Sequence, residues 1–373
     1  MQTFDITKIL LILFTCCLII GAFDYLRGNR WKLGERFSAG IQAFEPLFLT
    51  MAGIIVLIPA LQKLLTPVLT PFAHFLGMDP GLFAGVFIAN DMGAFPLAHS
   101  LTEDSRVADF SGMLLGSILG VNFVFTLPAA LKMIQAADRE FLFKGMLFGF
   151  ITLPLGCLFG GLAAGYPAGF VFLQLIPITV IAVISTLLLW LIPEKLTAIL
   201  SRLGKGIEII ALSGVVAAIT AELTGLSGGG FLEPIQEGIK IVGSIVIVLP
   251  GAYVFIELLN RCCRNFFLRT GKKLGINEIS VLGLITSLAN SIPTFLMVKD
   301  MDRKGKLLNF AFLTGGAFAF GDHLAFCCAI APGLAFPLLI TKLVSAFSAF
   351  LLTYFLYNKL KFSTSYHKQG EEI

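Results

Sequence analysis

Charge is what this chain has least of. Asp, Glu, Lys and Arg make up 13% of its 373 residues, about half the share of a soluble domain. With 57% hydrophobic residues, among them 36 Phe, a water-soluble fold would expose apolar patches large enough to aggregate. Lipid as the outer solvent removes the contradiction. Catalytic signatures are missing as well: there is no HExxH, no P-loop and no dinucleotide-binding glycine pattern. The seven cysteines, Cys16, Cys17, Cys157, Cys262, Cys263, Cys327 and Cys328, have neither metal-ligand spacing nor the look of a disulfide framework and read as small apolar fillers. No cofactor and no metal is called for. The net charge of +4 is spread over short loops without a basic run, which argues against a nucleic-acid partner. The first apolar stretch lacks a strongly basic leader and a clear cleavage site, and reads as a retained span.

What is abundant is apolar length. A hydrocarbon core of about 30 Å needs about 20 apolar residues as helix. Nine stretches qualify, at 5–26, 42–64, 109–131, 142–165, 170–192, 206–225, 240–260, 307–330 and 337–357. Two more, 81–101 and 279–298, are interrupted by Asn90-Asp91-Met92-Gly93 and Asn290-Ser291-Ile292-Pro293. Broken backbone at membrane depth is tolerated only where protein or a water-filled cavity covers it. Both therefore read as re-entrant hairpins or broken helices. The expected fold is an all-α polytopic membrane protein of about nine full spans and two such hairpins.

Basic residues orient it. If both broken segments return to the side they left, 22 of the 27 Lys and Arg fall on one side. The other side keeps Arg106 and acidic loops with Glu103, Asp104, Asp109, Glu233 and Glu237. By the positive-inside rule the N-terminus is outside and the C-terminus cytoplasmic. Letting either segment cross fully destroys the bias.

The chain also echoes itself. Gly40-Ile41 matches Gly238-Ile239, and Gly53 to Ile58 matches Gly251 to Ile256, both at an offset of 198. Ala89-Asn90-Asp91 matches Ala289-Asn290-Ser291 at 200, which also sets Asn122 on Asp322. The expectation is two repeats, 1–168 with hairpin 81–101 and 201–358 with hairpin 279–298, joined by a linker span in 169–200 and followed by a cytoplasmic tail, 359–373. Five crossings separate corresponding elements, so the second copy is inverted, an arrangement common among secondary transporters.

An ionisable group at a span centre costs about 2.5–3.5 kcal/mol on insertion scales and is a functional candidate by default. Asn90 and Asp91 sit in the first break and Asn290 and Ser291 in the second. Asp322 and His323 follow Gly315 to Gly321 deep in the eighth span, and Asn122 is the counterpart of Asp322. Carboxylates suit a cation, and amides suit hydroxyl or ammonium hydrogens. Phe95, Phe318 and Phe320 are near enough in sequence to offer ring faces to a cation. The set fits a small cationic or zwitterionic solute with a hydroxyl. Structural readings stand beside it: Asp91 as a helix cap, Asp322 with His323 as packing glue, the asparagines as interhelical hydrogen bonds, the phenylalanines as core or lipid face. Glu257 is expected to pair with Arg261 one turn later, and Lys342, one turn inside the last span, to snorkel to the outer interface.

At these residues the chain resembles the ethanolamine permease family of bacterial ethanolamine-utilisation systems, EutH. The likeness is carried by Phe23 to Arg30 with Leu33-Gly34, by Met51-Ala52-Gly53-Ile54, by Ala89-Asn90-Asp91-Met92-Gly93 with Pro96-Leu97-Ala98, and by Ala317 to Leu324. Two places depart from the family's pattern: Ala94-Phe95 where Gly-Tyr is usual, removing a hydroxyl near the site, and Ser38-Ala39 where acidic residues are usual. The resemblance implies ethanolamine as the substrate of an importer that is not an enzyme. An alternating-access carrier is the first reading, a channel-like facilitator the second, an intramembrane lipid-head-group enzyme a third. Homo-oligomers are compatible with all three.

Overall fold

The computed structural model describes residues 6–226 and 229–360; the expected tail lies, beyond Leu360, outside the described residues. Among the latter there is no strand. The helices are α1 (Ile6–Leu26), α2 (Gly34–Val56), α3 (Ile58–Phe75), α4 (Leu82–Phe87), α5 (Ala94–Leu101), α6 (Ser105–Met133), α7 (Arg139–Ala163), α8 (Ala168–Leu191), α9 (Pro193–Thr224), α10 (Ile235–Leu274), α11 (Glu278–Ala289), α12 (Ser291–Met297), α13 (Arg303–Gly316), α14 (Asp322–Ile330) and α15 (Ala335–Leu356). Eight helices among the described residues are long and apolar enough to cross a membrane. This is an all-α polytopic membrane protein.

Two expected spans differ in form. The stretch 307–330 is not one helix: α13 stops at Gly316, and Ala317–Gly321 is irregular before α14 begins. Phe318 takes a left-handed φ of 63°. Its N–H, no longer bonded within a helix, donates to the Ser287 carbonyl at 3.0 Å, and the Phe320 N–H to that of Leu288 at 2.9 Å. Three glycines, Gly315, Gly316 and Gly321, lower the helix propensity here, and α11 supplies the acceptors that a continued helix would have provided. The second span begins earlier than expected, at Gly34, and ends at Val56; Pro59 then sits in the first turn of α3, where its missing N–H costs no helical hydrogen bond.

In both hairpins each helix is too short to cross the hydrocarbon core alone. At about 1.5 Å per residue the six residues of α4 and eight of α5 each reach about a third of the hydrocarbon core. The base of hairpin 1 is closed where the Thr102 hydroxyl donates to Asp79 at 2.8 Å. The base of hairpin 2 closes where Asn277 donates from Nδ2 to the Asp300 carbonyl at 2.9 Å and from its N–H to Asp302 at 2.8 Å. Each hairpin leans on the helix that follows it. The Ser111 hydroxyl donates to the Gly81 carbonyl at 2.7 Å and accepts from the Gly85 N–H at 3.0 Å; the Asn309 amide donates to the Ser280 carbonyl at 2.8 Å.

Small residues bring these backbones together, the usual means in lipid, where apolar burial gives no advantage. On α6, Gly112, Gly116 and Gly120 lie under Phe95, Asn90 and Ile88, so that a Cβ at Gly120 would strike the Ile88 carbonyl. On α7, Gly145 and Gly149 lie against Phe310 and Thr314 of α13, and Gly156 and Gly160 against Ser345 and Thr341 of α15. Gly40 touches the Pro250 backbone and Gly238 touches Ala52; Gly53 meets Ala211 and Gly251 meets Phe14. The outer faces stay apolar, as on α8, where Leu173, Ile176, Val180 and Leu187 are exposed.

Candidate functional site

Hairpin 1 breaks because its backbone turns extended at Ile88 and Ala89, makes one 3-10 turn over Asn90–Met92, and reverses at Gly93 with φ +103°. A side chain at Gly93 would meet Ile54. The turn aims Asp91 at the start of α14, where Asp91 Oδ1 and His323 Nε2 are 3.6 Å apart. That is too long for a hydrogen bond but within ion-pair range. On its far side His323 meets Lys342: Nδ1 and Nζ are 3.1 Å apart, and Nζ donates to the Ser117 carbonyl at 2.6 Å. Lys342 is fully buried, so the expected snorkelling does not occur. The helix around it starts near Pro332 rather than 337, which draws Lys342 well inside the span. Phe318 stacks on the His323 ring with centroids 5.1 Å apart. Asp322 turns the other way and accepts from the Tyr253 hydroxyl of α10 at 2.5 Å, the short distance of a charge-assisted bond.

The site is thus layered. His323 and Lys342 are sealed within protein, whereas Asp91 and Asp322 remain partly exposed. A cleft of about 520 Å³ is lined by Phe95, Pro96 and Phe326, about one turn beyond the two carboxylates, together with Met51, His99 and Asp109. Phe95 meets Phe326 edge-on at 6.2 Å. At the rim Asp109 bonds His99 at 2.9 Å and accepts from the Tyr166 hydroxyl at 3.4 Å. Burial, then the neighbouring Asp109 charge, raises the Tyr166 phenol above its usual range, so it stays a donor.

The remaining candidates divide. Asn90 is buried; its Nδ2 lies 3.8 Å from Met113 Sδ and its Oδ1 has no partner. Ser291 is buried with an unpartnered hydroxyl. Asn122 joins α6 to α13 by donating to the Thr314 carbonyl at 2.6 Å, leaving its Oδ1 unpartnered. Asn290 folds back to accept from the Ile292 N–H at 2.9 Å and so caps α12. Phe320 packs partly buried against the core. Glu257 pairs with Arg261 at 2.8 Å and also with Arg36 at 3.1 Å. The geometry therefore gathers Asp91, Asp322, His323 and Phe318. It adds three groups that the sequence reading missed: Lys342, Tyr253 and the Ser117 carbonyl. Lys342 carried a usable signal, being a charge inside an apolar window; Tyr253 carried none.

A family model described as "Ethanolamine utilisation protein, EutH" matches residues 6–356. The chain is 41% identical over 356 residues, 95% of each chain, to a probable ethanolamine permease EutH of Listeria monocytogenes. It is 37% identical over 340 residues to one of Salmonella typhimurium, covering 85% of this chain and 83% of the relative. It is also 36% identical over 332 residues to the uncharacterised protein YxeR of Bacillus subtilis, covering 89% and 90%. No solved structure matches it.

Proposed function

We propose, from the premise that this chain belongs to the ethanolamine-utilisation EutH family, that it imports ethanolamine as its cation across a bacterial cytoplasmic membrane by alternating access. The observation that carries this reading is the pair of partly exposed carboxylates, Asp91 and Asp322, at two backbone breaks, each four residues before a phenylalanine, Phe95 or Phe326, that lines one cleft. Ethanolammonium is a compact cation with one hydroxyl. Two carboxylates supply its counter-charge, the Phe95 and Phe326 rings offer faces on the approach, and the unpartnered oxygens of Asn90 and Ser291 are available to polar hydrogens. Asn122 and Asn290 take structural parts in this reading. The basic loops favour an outside N-terminus and a cytoplasmic C-terminus.

Reciprocal contacts support two inverted repeats. Gly40 on Pro250 and Gly238 on Ala52 are the same contact exchanged through an offset of 198, since 40 + 198 is 238 and 52 + 198 is 250. The Ser111 bond to the Leu82 carbonyl at 3.2 Å and the Asn309 bond to the Ser280 carbonyl at 2.8 Å repeat at the same offset. Rocking of one repeat against the other would open the carboxylates to each side in turn.

Labelled-ethanolamine counterflow in liposomes, with no ion gradient imposed, tests the reading. Transient accumulation driven by unlabelled ethanolamine inside is the expected result. Flux that never saturates and gives no counterflow would indicate a channel and overturn the carrier mechanism.

A further inference from the structure

We propose that Lys342 is a resident internal cation that fixes the ionic stoichiometry of the site, so that one monovalent cation is carried per cycle and no co-ion is required. This rests on the transport reading above and deepens it.

The charged groups that face the cluster come from three elements: Asp91 from hairpin 1, Asp322 with His323 from α14, and Lys342 from α15. Tyr253 of α10 donates its hydroxyl to Asp322, and α6 offers only the Ser117 carbonyl. Neighbouring charges close on themselves: Lys306 with Asp138 at 2.6 Å, and Glu257 with Arg36 and Arg261. Asp109 sits at the rim, 29% exposed and bonded to His99. With these groups ionised, two carboxylates stand against one ammonium, a net charge of minus one.

Lys342 supplies its charge without filling the site. An ammonium has three donors and no acceptor. One donor goes to the Ser117 carbonyl, and another to His323 Nδ1, which must then carry a lone pair. The His323 proton is accordingly on Nε2, a buried nitrogen with no hydrogen-bond partner, 3.6 Å from Asp91. The imidazole presents a positive edge to Asp91 while the carboxylate stays partly exposed, and Phe318 stacks on the ring. A single entering ammonium brings the buried charge to zero. A second cation would make it positive in surroundings that penalise net charge. The loaded site then crosses the membrane field without charge, and voltage acts on the empty, negative site as it returns.

The test uses the full chain in sodium-free liposomes. Wild-type counterflow comes first, without sodium and then with it; its absence in both would overturn the transport reading itself. Given counterflow, uptake is expected to be unchanged by adding sodium and to accumulate ethanolamine tenfold for each ~60 mV of inside-negative potential. Lys342→Gln raises the site to minus two and is expected to make uptake depend on added sodium or on acid. Lys342→Arg, which keeps the site at minus one, is expected to stay sodium-independent. Sodium-dependent wild-type uptake, accumulation indifferent to potential, or a Lys342→Gln protein that works as well without sodium or acid would each overturn the inference. The wild-type measurements decide it even if Lys342→Gln fails to fold.

Discussion

Replacing Asp322 by Asn removes a charge and almost nothing else. The Asn carbonyl can still accept from the Tyr253 hydroxyl that now reaches Asp322 at 2.5 Å. The irregular segment before it stays tied to hairpin 2 through Phe318 and Phe320. The fold should therefore survive with its Tm little changed. Binding should not. Opposite unit charges about 4 Å apart attract by about 4 kcal/mol at an effective dielectric near 20, which is about a thousandfold in affinity at 1.4 kcal/mol per factor of ten. Asp322 is partly exposed, and water weakens the attraction, so a loss of about a hundredfold is the least that this reasoning allows. Equilibrium binding of labelled ethanolamine to the detergent-solubilised protein, read beside a melting curve, measures both quantities. An Asp322→Asn protein of wild-type Tm whose Kd lies within tenfold of the wild type would refute the assignment of Asp322 to the ammonium.

Tyr253→Phe keeps the ring and removes one hydrogen bond to a charged group, worth about 1.5–3 kcal/mol; the bond is present without ligand, so the loss is expected as a lower Tm. Ser111→Ala leaves the Gly85 N–H and Gly81 carbonyl without that partner in a buried site, an expected loss of about 1–3 kcal/mol read as a lower Tm. Gly120→Ala forces a methyl against the Ile88 carbonyl and should displace hairpin 1, abolishing counterflow while the protein still inserts. Asp104, outside the spans, is held below the usual carboxylate range by its side-chain hydrogen bond to Arg106 and by backbone N–H groups. Its cap on Ser105–Asp109 is therefore present above the ordinary carboxylate pKa and lost as pH falls through the lowered one. Because the pair is well exposed, Asp104→Asn is expected to leave Tm at neutral pH almost unchanged.

The fold was largely legible because lipid imposes one rule on every span: each must be long, apolar and internally hydrogen-bonded. Hairpins 1 and 2 stood out because Asn90-Asp91 and Asn290-Ser291 break that rule, and Asp322 and His323 stood out as charge where none is expected. The break at Ala317–Gly321 was hidden, since Ala and Phe around glycines look like any buried helix, and the acceptors that permit the break come from residues 287 and 288. Asn290 looked like Asn90, yet local geometry turned it into a cap. Lys342 was misread through a boundary: a span drawn from 337 puts it near the surface, while one drawn from Pro332 puts it near the middle. Tyr253 is unremarkable in an apolar stretch until tertiary packing brings Asp322 to its hydroxyl.

The sealed ammonium of Lys342 also has a consequence for biogenesis. Synthesis runs from the N-terminus, so α15 leaves the ribosome after the other membrane helices among the described residues, and it carries a charge that alone would cost about 2.5–3.5 kcal/mol to insert at a helix centre. Its acceptors on Ser117 and His323 belong to segments made earlier and are already in the bilayer when α15 arrives. The order of elements along the chain thus provides the acceptors of Lys342 before α15 itself enters the bilayer.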